Sequence, residues 1–130
     1  MKIERTLNTP EVVLDSKKAS LYITGCSYHE SANKFYVPVA ATTQEFIEKL
    51  PKKYSFSVYI TLEYLNTSSV VEINKLLNIL NRSNKNVYIV WGYESDDESM
   101  IEEGKIFQEI HKKLNFSFQL VEDTAKASYL

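Results

Sequence analysis

Cysteine is nearly absent from this chain. Cys26 stands alone among 130 residues, so no internal disulfide can form and no structural zinc site can be assembled from thiolates. That usage fits a reducing cytosol. Long hydrophobic runs are missing as well: the start, Met1-Lys2-Ile3-Glu4-Arg5-Thr6, lacks the apolar stretch of a signal peptide, and no segment approaches the length needed to span a bilayer. Both absences predict a soluble, cytoplasmic protein with no membrane partner. Charge of one sign is not in excess, and a formal net charge of -2 gives no electrostatic case for nucleic acid. A Gly-rich phosphate loop, a recognisable catalytic triad segment, internal repeats, low-complexity tracts and linkers are all lacking. His29 and His111 are too isolated in type to argue for a metal or a catalytic base, and no cofactor is expected.

What remains suits one domain of residues 1–130, with a core over about 10–121, large enough to bury apolar side chains without metal or disulfide staples. Nine Tyr and six Phe supply bulky core material. Glu11-Val12-Val13-Leu14-Asp15 and Ala19-Ser20-Leu21-Tyr22-Ile23-Thr24 read as a hairpin, with Gly25 punctuating the chain before a polar connection over 26–33. Phe46, Ile47 and Leu50 carry a first helix, starting near Val37 or Thr42 and stopped by Pro51. Phe56, Val58, Ile60 and Leu62 alternate with Ser57, Tyr59, Thr61 and Glu63, the period of a strand over about 55–62. Val70, Ile73, Leu77 and Leu80, widened by Leu76, then share one face of a helix over 68–82. Val87-Tyr88-Ile89-Val90-Trp91 reads as a buried strand, with Trp91 in core or rim packing. Met100, Ile101, Ile106, Phe107 and Ile110 mark the apolar side of a third helix, and Phe116, Phe118 and Leu120 mark a last strand before a tail over 122–130. The order β-β-α-β-α-β-α-β predicts an α/β single domain, a small mixed β-sheet with helices mainly on one face. Loops at the carboxyl ends of its parallel strands share one edge, so 66–69 and 93–98 are expected to be neighbours there.

The central strand meets its helix at Tyr64-Leu65-Asn66-Thr67-Ser68-Ser69. Asn66, Thr67 or Ser68 can cap the first turn, and a phosphate added there meets the positive end of the helix dipole. Thr67 is therefore a physically sensible phosphorylation site, with Ser68 its rival, although an ordinary N-cap uses the same residue types. Asp96, Asp97 and Glu98 suit either a magnesium site or the first turn of a helix; the helix reading is preferred and no metal is predicted.

Gly25-Cys26-Ser27-Tyr28-His29-Glu30-Ser31-Ala32, Tyr64-Leu65-Asn66-Thr67-Ser68-Ser69, Trp91-Gly92-Tyr93 with Asp96-Asp97-Glu98, and Gly104 with Phe107 resemble, in order and spacing, the SiaC-like biofilm-regulation phosphoproteins. That family is related in fold to STAS-domain anti-sigma-factor antagonists, so the resemblance implies a STAS-like domain without catalytic activity. It implies partner switching: a serine/threonine kinase with a histidine-kinase-type ATPase fold phosphorylates Thr67, and a metal-dependent serine/threonine phosphatase removes the phosphate. The unmodified form then binds a diguanylate cyclase in cyclic-di-GMP signalling. Asn66, Ser68 and Ser69 frame Thr67, with Tyr28, Glu30, Asp96 and Asp97 as further partner-binding residues. Where the family's Ser-Tyr segment is followed by Pro-Glu-Asn, this chain has His29-Glu30-Ser31.

Two other classes compete with this reading. A constitutive interaction module would keep the same surface without phosphorylation. A small enzyme would use Thr67, Ser68 or Cys26 as nucleophile and His29 or His111 as base, and would need a pocket joining them.

Overall fold

The computed structural model describes residues 1–28 and 30–121; His29 and the expected tail over 122–130 lie outside the described residues. The elements are β1 (Lys2–Ile3), β2 (Glu11–Asp15), β3 (Ser20–Ser27), α1 (Ala32–Lys49), β4 (Ser55–Leu65), α2 (Thr67–Asn81), β5 (Asn86–Tyr93), α3 (Glu98–Ile110) and β6 (Asn115–Leu120). The strands form one sheet in sequence order, antiparallel from β1 to β3 and parallel from β3 to β6. Three parallel crossovers of one hand, each stepping to the next strand, put all three helices on the same face. The expected α/β architecture is thus present, with β1 added at the edge.

Alternation decides which side chains meet the helices. Leu21 and Ile23 of β3, Phe56, Val58, Ile60 and Leu62 of β4, and Val87, Ile89 and Trp91 of β5 are buried there. Ile73, Leu76, Leu77 and Leu80 of α2 pack against them, as the helical period predicts. On the uncovered face Tyr22 and Tyr59, paired across β3 and β4, stack with ring centroids 5.0 Å apart.

Four expectations need correction. The first helix starts at Ala32, not near Val37 or Thr42, and contains Pro38. Pro38 removes the N–H that Lys34 O would accept, but it lies on the exposed side of α1, where water can take that role. Cys26 and Ser27 belong to β3 rather than to a connection, and β4 runs three residues beyond Leu62. On α3, Ile106 and Ile110 face solvent; Met100, Gly104 and Phe107, spaced by one turn, are the residues against the sheet.

A register shift between Gly25 and Cys26 shapes the top of β4. Gly25 pairs with Leu62 and Cys26 with Tyr64, leaving Glu63 as the extra residue of a bulge. Phase inverts there: Tyr64 leaves the buried face its even number predicts, and Leu65 turns toward the core. Gly25 has φ +128°, a backbone region that favours glycine, and a Cβ there would lie 3.1 Å from the Arg5 guanidinium carbon.

Candidate phosphorylation and docking edge

The candidate phosphorylation and partner-binding residues gather where the carboxyl ends of β3, β4 and β5 hand over to α1, α2 and α3. Asn66 is extended, with φ -82° and ψ 169°, and its Oδ1 accepts from the Ser69 N–H at 3.0 Å, so Asn66 is the N-cap of α2. The three hydroxyls that follow meet different environments. Thr67, the first residue of α2, is exposed; Ser68 is half-buried with its Oγ 3.4 Å from Asn66 Oδ1; Ser69 is fully buried.

Burial of Ser69 has a specific cause. Ser27 Oγ donates to Ser69 Oγ at 2.7 Å and lies 2.7 Å from the Tyr36 hydroxyl, while the Asn66 N–H donates to the Ser27 carbonyl at 3.1 Å. The end of β3, the start of α2 and α1 are therefore tied by one buried polar chain. Burial pushes the Tyr36 hydroxyl up to about 12, keeping it a neutral partner in this chain. Alongside it, Asn33 Nδ2 donates to Glu72 Oε1 at 3.1 Å, joining the first turn of α1 to the second turn of α2, and Lys75 Nζ of the same helix pairs with Glu72 Oε2 at 3.0 Å.

Tyr28 and Tyr64 form an exposed edge-to-face pair with centroids 5.1 Å apart, each about half accessible. Tyr28 is held by its N–H donating to the Asn8 carbonyl at 2.8 Å, and Glu30 is exposed in the next turn. Arg5 reaches the same edge from the β1–β2 connection, its Nη2 2.8 Å from Glu63 Oε2. A cavity of about 150 Å3 is lined by Glu63, Tyr64, Leu65, Asp97, Ser99 and Met100, among others. The end of β4 and the start of α3 are thus neighbours, as the parallel order requires. Asp97 is the N-cap of α3, its Oδ1 accepting from Met100 N–H and Ser99 Oγ, each at 3.0 Å. Asp96 is exposed beside it, and Glu98 opens the helix. Among the described residues no three His, Cys, Asp or Glu side chains converge as a metal site.

The enzyme reading finds its groups apart. His111 caps α3 at the amino-terminal edge of the parallel strands, where it is buried with Nε2 2.7 Å from Asn74 Oδ1. Asn74 follows Thr67 by seven residues on α2, about 10 Å along the helix axis, and the His111 ring bonds to Asn74 rather than to Thr67 or Cys26. Burial and the Glu63 carboxylate raise the Cys26 thiol, outweighing Arg5, so it is held in the unreactive form. The other proposed base, His29, falls outside the described residues. Trp91 is fully buried, its Nε1 donating to the Met100 carbonyl at 2.8 Å, which makes it core. No helix among the described residues is long and apolar enough to cross a membrane.

Tyr64, Glu63 and Arg5 are members of this edge that side-chain patterning overlooks. Simple alternation turns Tyr64 inward, and only the bulge against β3 exposes it. Arg5 sits 58 residues from Glu63, with no local signal linking them.

The sequence profile described as SiaC family regulatory phosphoprotein matches residues 3–121. No curated protein matches the chain at a significant level. Among solved structures, a chain of the crystal structure of diguanylate cyclase SiaD in complex with its activator SiaC from Pseudomonas aeruginosa superposes with a TM-score of 0.85 at 24% identity, covering 93% of this chain and 99% of that one. The crystal structure of apo-SiaC from Pseudomonas aeruginosa gives 0.81 at 24% identity, covering 92% and 97%. At that identity the superpositions speak to the fold; the profile match speaks to the family.

Proposed function

The chain belongs to the SiaC family of regulatory phosphoproteins, and from that premise we propose that it is a non-catalytic switch whose phosphoacceptor is Thr67. The observation that carries this reading is the contrast at the start of α2: Thr67 is the exposed hydroxyl, Ser68 is half-buried beside the Asn66 cap, and Ser69 is sealed against Ser27. A kinase can approach Thr67 without unfolding the turn. Phosphate there adds up to two negative charges at an edge that already carries Glu94, Asp96, Asp97 and Glu98. The helix dipole offsets this locally by about 1 kcal/mol or less, so the fold survives while a partner seated on the edge meets new charge and bulk.

The output partner in this reading is a diguanylate cyclase, bound by the unmodified edge through Tyr28, Glu30, Asn66, Thr67, Ser68, Asp96 and Asp97, with the Tyr28–Tyr64 pair as its aromatic anchor. Ser69 acts from below, positioning the turn. Tyrosines half-exposed as a pair are the type of side chain that dominates such contacts. The writing and erasing enzymes are a serine/threonine kinase of histidine-kinase-type ATPase fold and a metal-dependent phosphatase. Tandem mass spectrometry on protein from its own cells, with a Thr67→Ala chain beside it, tests the assignment. Phosphate on Thr67 that is lost in the variant is the expected result. A chain left unmodified under all growth conditions, while still binding the cyclase, would overturn the switch and leave a constitutive binding module.

A further inference from the structure

The edge opposite Thr67 has the reverse charge. The four connections entering β3, β4, β5 and β6, residues 16–19, 50–54, 82–85 and 111–114, hold Lys17, Lys18, Lys52, Lys53, Arg82, Lys85, Lys112 and Lys113 and no Asp or Glu. The three connections leaving β3, β4 and β5 carry Glu30, Glu94, Asp96 and Asp97 and no Lys or Arg. A near-neutral total thus conceals a polar molecule, and partners of opposite charge are steered to opposite ends.

Part of the basic edge is concave. A cleft of about 750 Å3 opens between the β2–β3 turn and the end of α1, rimmed by Lys17, Lys18 and Lys49 and floored by Phe46, Leu50 and Tyr54. Lys52 and Lys53 stand next to it, Lys53 Nζ lying 5.2 Å from the Tyr54 ring centroid. Local acids offset only part of this rim, because no ion pair engages the Lys17, Lys18, Lys52 or Lys53 side chains among the described residues. Asp15 Oδ1 is turned onto the backbone N–H groups of Lys17 and Lys18, at 3.1 and 3.2 Å, and Glu45 meets Lys49 at 3.2 Å on an open surface. Lys85 is committed elsewhere, donating to the carbonyls of Leu50 and Glu48. Lysines gathered at one mouth repel one another, and an anionic occupant relieves that repulsion. An apolar floor beneath the charges asks in addition for one large apolar side chain.

We propose that this lysine-rimmed cleft is a second docking site, which takes an acidic segment of a protein partner anchored by one apolar residue. The recess favours a peptide over a bilayer, because a flat surface touches the rim but not the floor. β4 spans 11 residues, placing the cleft about 35 Å from Thr67, so a segment held there is unaffected by phosphate at the other end. The domain can then hold one protein continuously while the opposite edge engages and releases another.

The test is fluorescence anisotropy with a labelled peptide of alternating Asp and Glu around a central Leu. Binding that weakens steeply with added salt, falls at least about tenfold in Lys18→Glu/Lys49→Glu, weakens in Tyr54→Ala and with a Leu→Ala peptide, and is unchanged in Lys105→Glu and Thr67→Glu is the expected pattern. All the substituted lysines are exposed, so the fold is retained. Absence of binding, or equal binding by the Lys18→Glu/Lys49→Glu chain, overturns the proposal. Tighter binding to anionic-lipid vesicles or to single-stranded DNA than to the peptide also overturns it, as does self-association that the same two substitutions abolish.

Discussion

Ser27 and Ser69, 42 residues apart in sequence, meet hydroxyl to hydroxyl at 2.7 Å in the interior, one closing β3 and the other in the first turn of α2. The contact fixes where α2 begins relative to the sheet, and with it the position of Thr67 two residues earlier. The edge proposed to recognise partners is therefore held on rigid elements rather than on a mobile loop, which favours a modification read as charge over one read as refolding.

Ser27→Ala strands the Ser69 and Tyr36 hydroxyls in a dry interior. A loss of about 1–3 kcal/mol is expected, the cost of buried polar groups deprived of a partner, read as a lower urea midpoint with unchanged m-value. Tyr36→Phe, which removes one end of the chain and leaves Ser27 bonded to Ser69, should cost less.

Asn66→Ala and Thr67→Glu should separate stability from binding. The first removes the side chain that accepts from Ser69 N–H and is expected to cost about 1 kcal/mol. The second places a carboxylate at the first position of α2, where the helix dipole contributes about 0.3–1 kcal/mol in its favour. Thr67→Glu should thus melt at or above the parent temperature yet lose affinity for the cyclase, while Asn66→Ala, which removes both the cap and a proposed contact, should lose stability and affinity together. Calorimetry paired with isothermal titration reads both.

Much of this architecture is legible from local pattern, because Phe56 to Leu62 and Ile73 to Leu80 repeat at the periods of a strand and a helix. Parallel order then brings the ends of β4 and β5 to one edge without further information. What escapes depends on pairings distant in sequence. The outward turn of Tyr64 follows from a bulge defined by β3, and the burial of Ser69 requires Ser27. The start of α1 is hidden because Pro38 reads as a break, apolar Val37 lies on the exposed face and polar Thr43 on the buried one. β1, with two residues, is too short for any period to show. The basic edge is scattered over four connections, so a net charge of -2 gives no sign of it.

Stability should fall as pH drops through the histidine range. Nε2 of His111 lies 2.7 Å from Asn74 Oδ1, an acceptor, so the neutral ring carries its proton there and leaves Nδ1 bare. Nδ1 is buried with no hydrogen-bond partner among the described residues, and protonating it would create a buried N–H with nothing to accept it. Burial accordingly lowers the His111 pKa from its ordinary 6.5. The unfolded chain binds the proton more readily, so the stabilisation is complete above 6.5 and is lost progressively down to the folded-state value. Urea midpoints measured between about pH 8 and about pH 5.5 should decline, and His111→Gln should flatten that part of the profile.

Gly104→Ala should destabilise the chain although alanine is the better helix former. A Cβ at this position would lie 2.6 Å from Trp91 Cδ1 and 2.7 Å from Phe118 Cε1, both ring atoms. Trp91 cannot turn away, since its Nε1 donates to the Met100 carbonyl and its ring meets Phe107 edge-on at 5.4 Å. Relief must come from α3 lifting off the sheet, a cost of about 1–3 kcal/mol for overpacking against about 1 kcal/mol gained in helix propensity. The expected outcome is a net loss in denaturant stability with a changed tryptophan emission, whereas Ile106→Ala, on the exposed side of the same helix, should stay within about 0.5 kcal/mol of the parent. Because α3 also carries the Asp97 cap and Glu98 at its start, the same lift would shift the acidic rim beside Thr67. Cyclase affinity should therefore drop in Gly104→Ala and hold in Ile106→Ala, linking the packing of one glycine to the shape of the recognition edge.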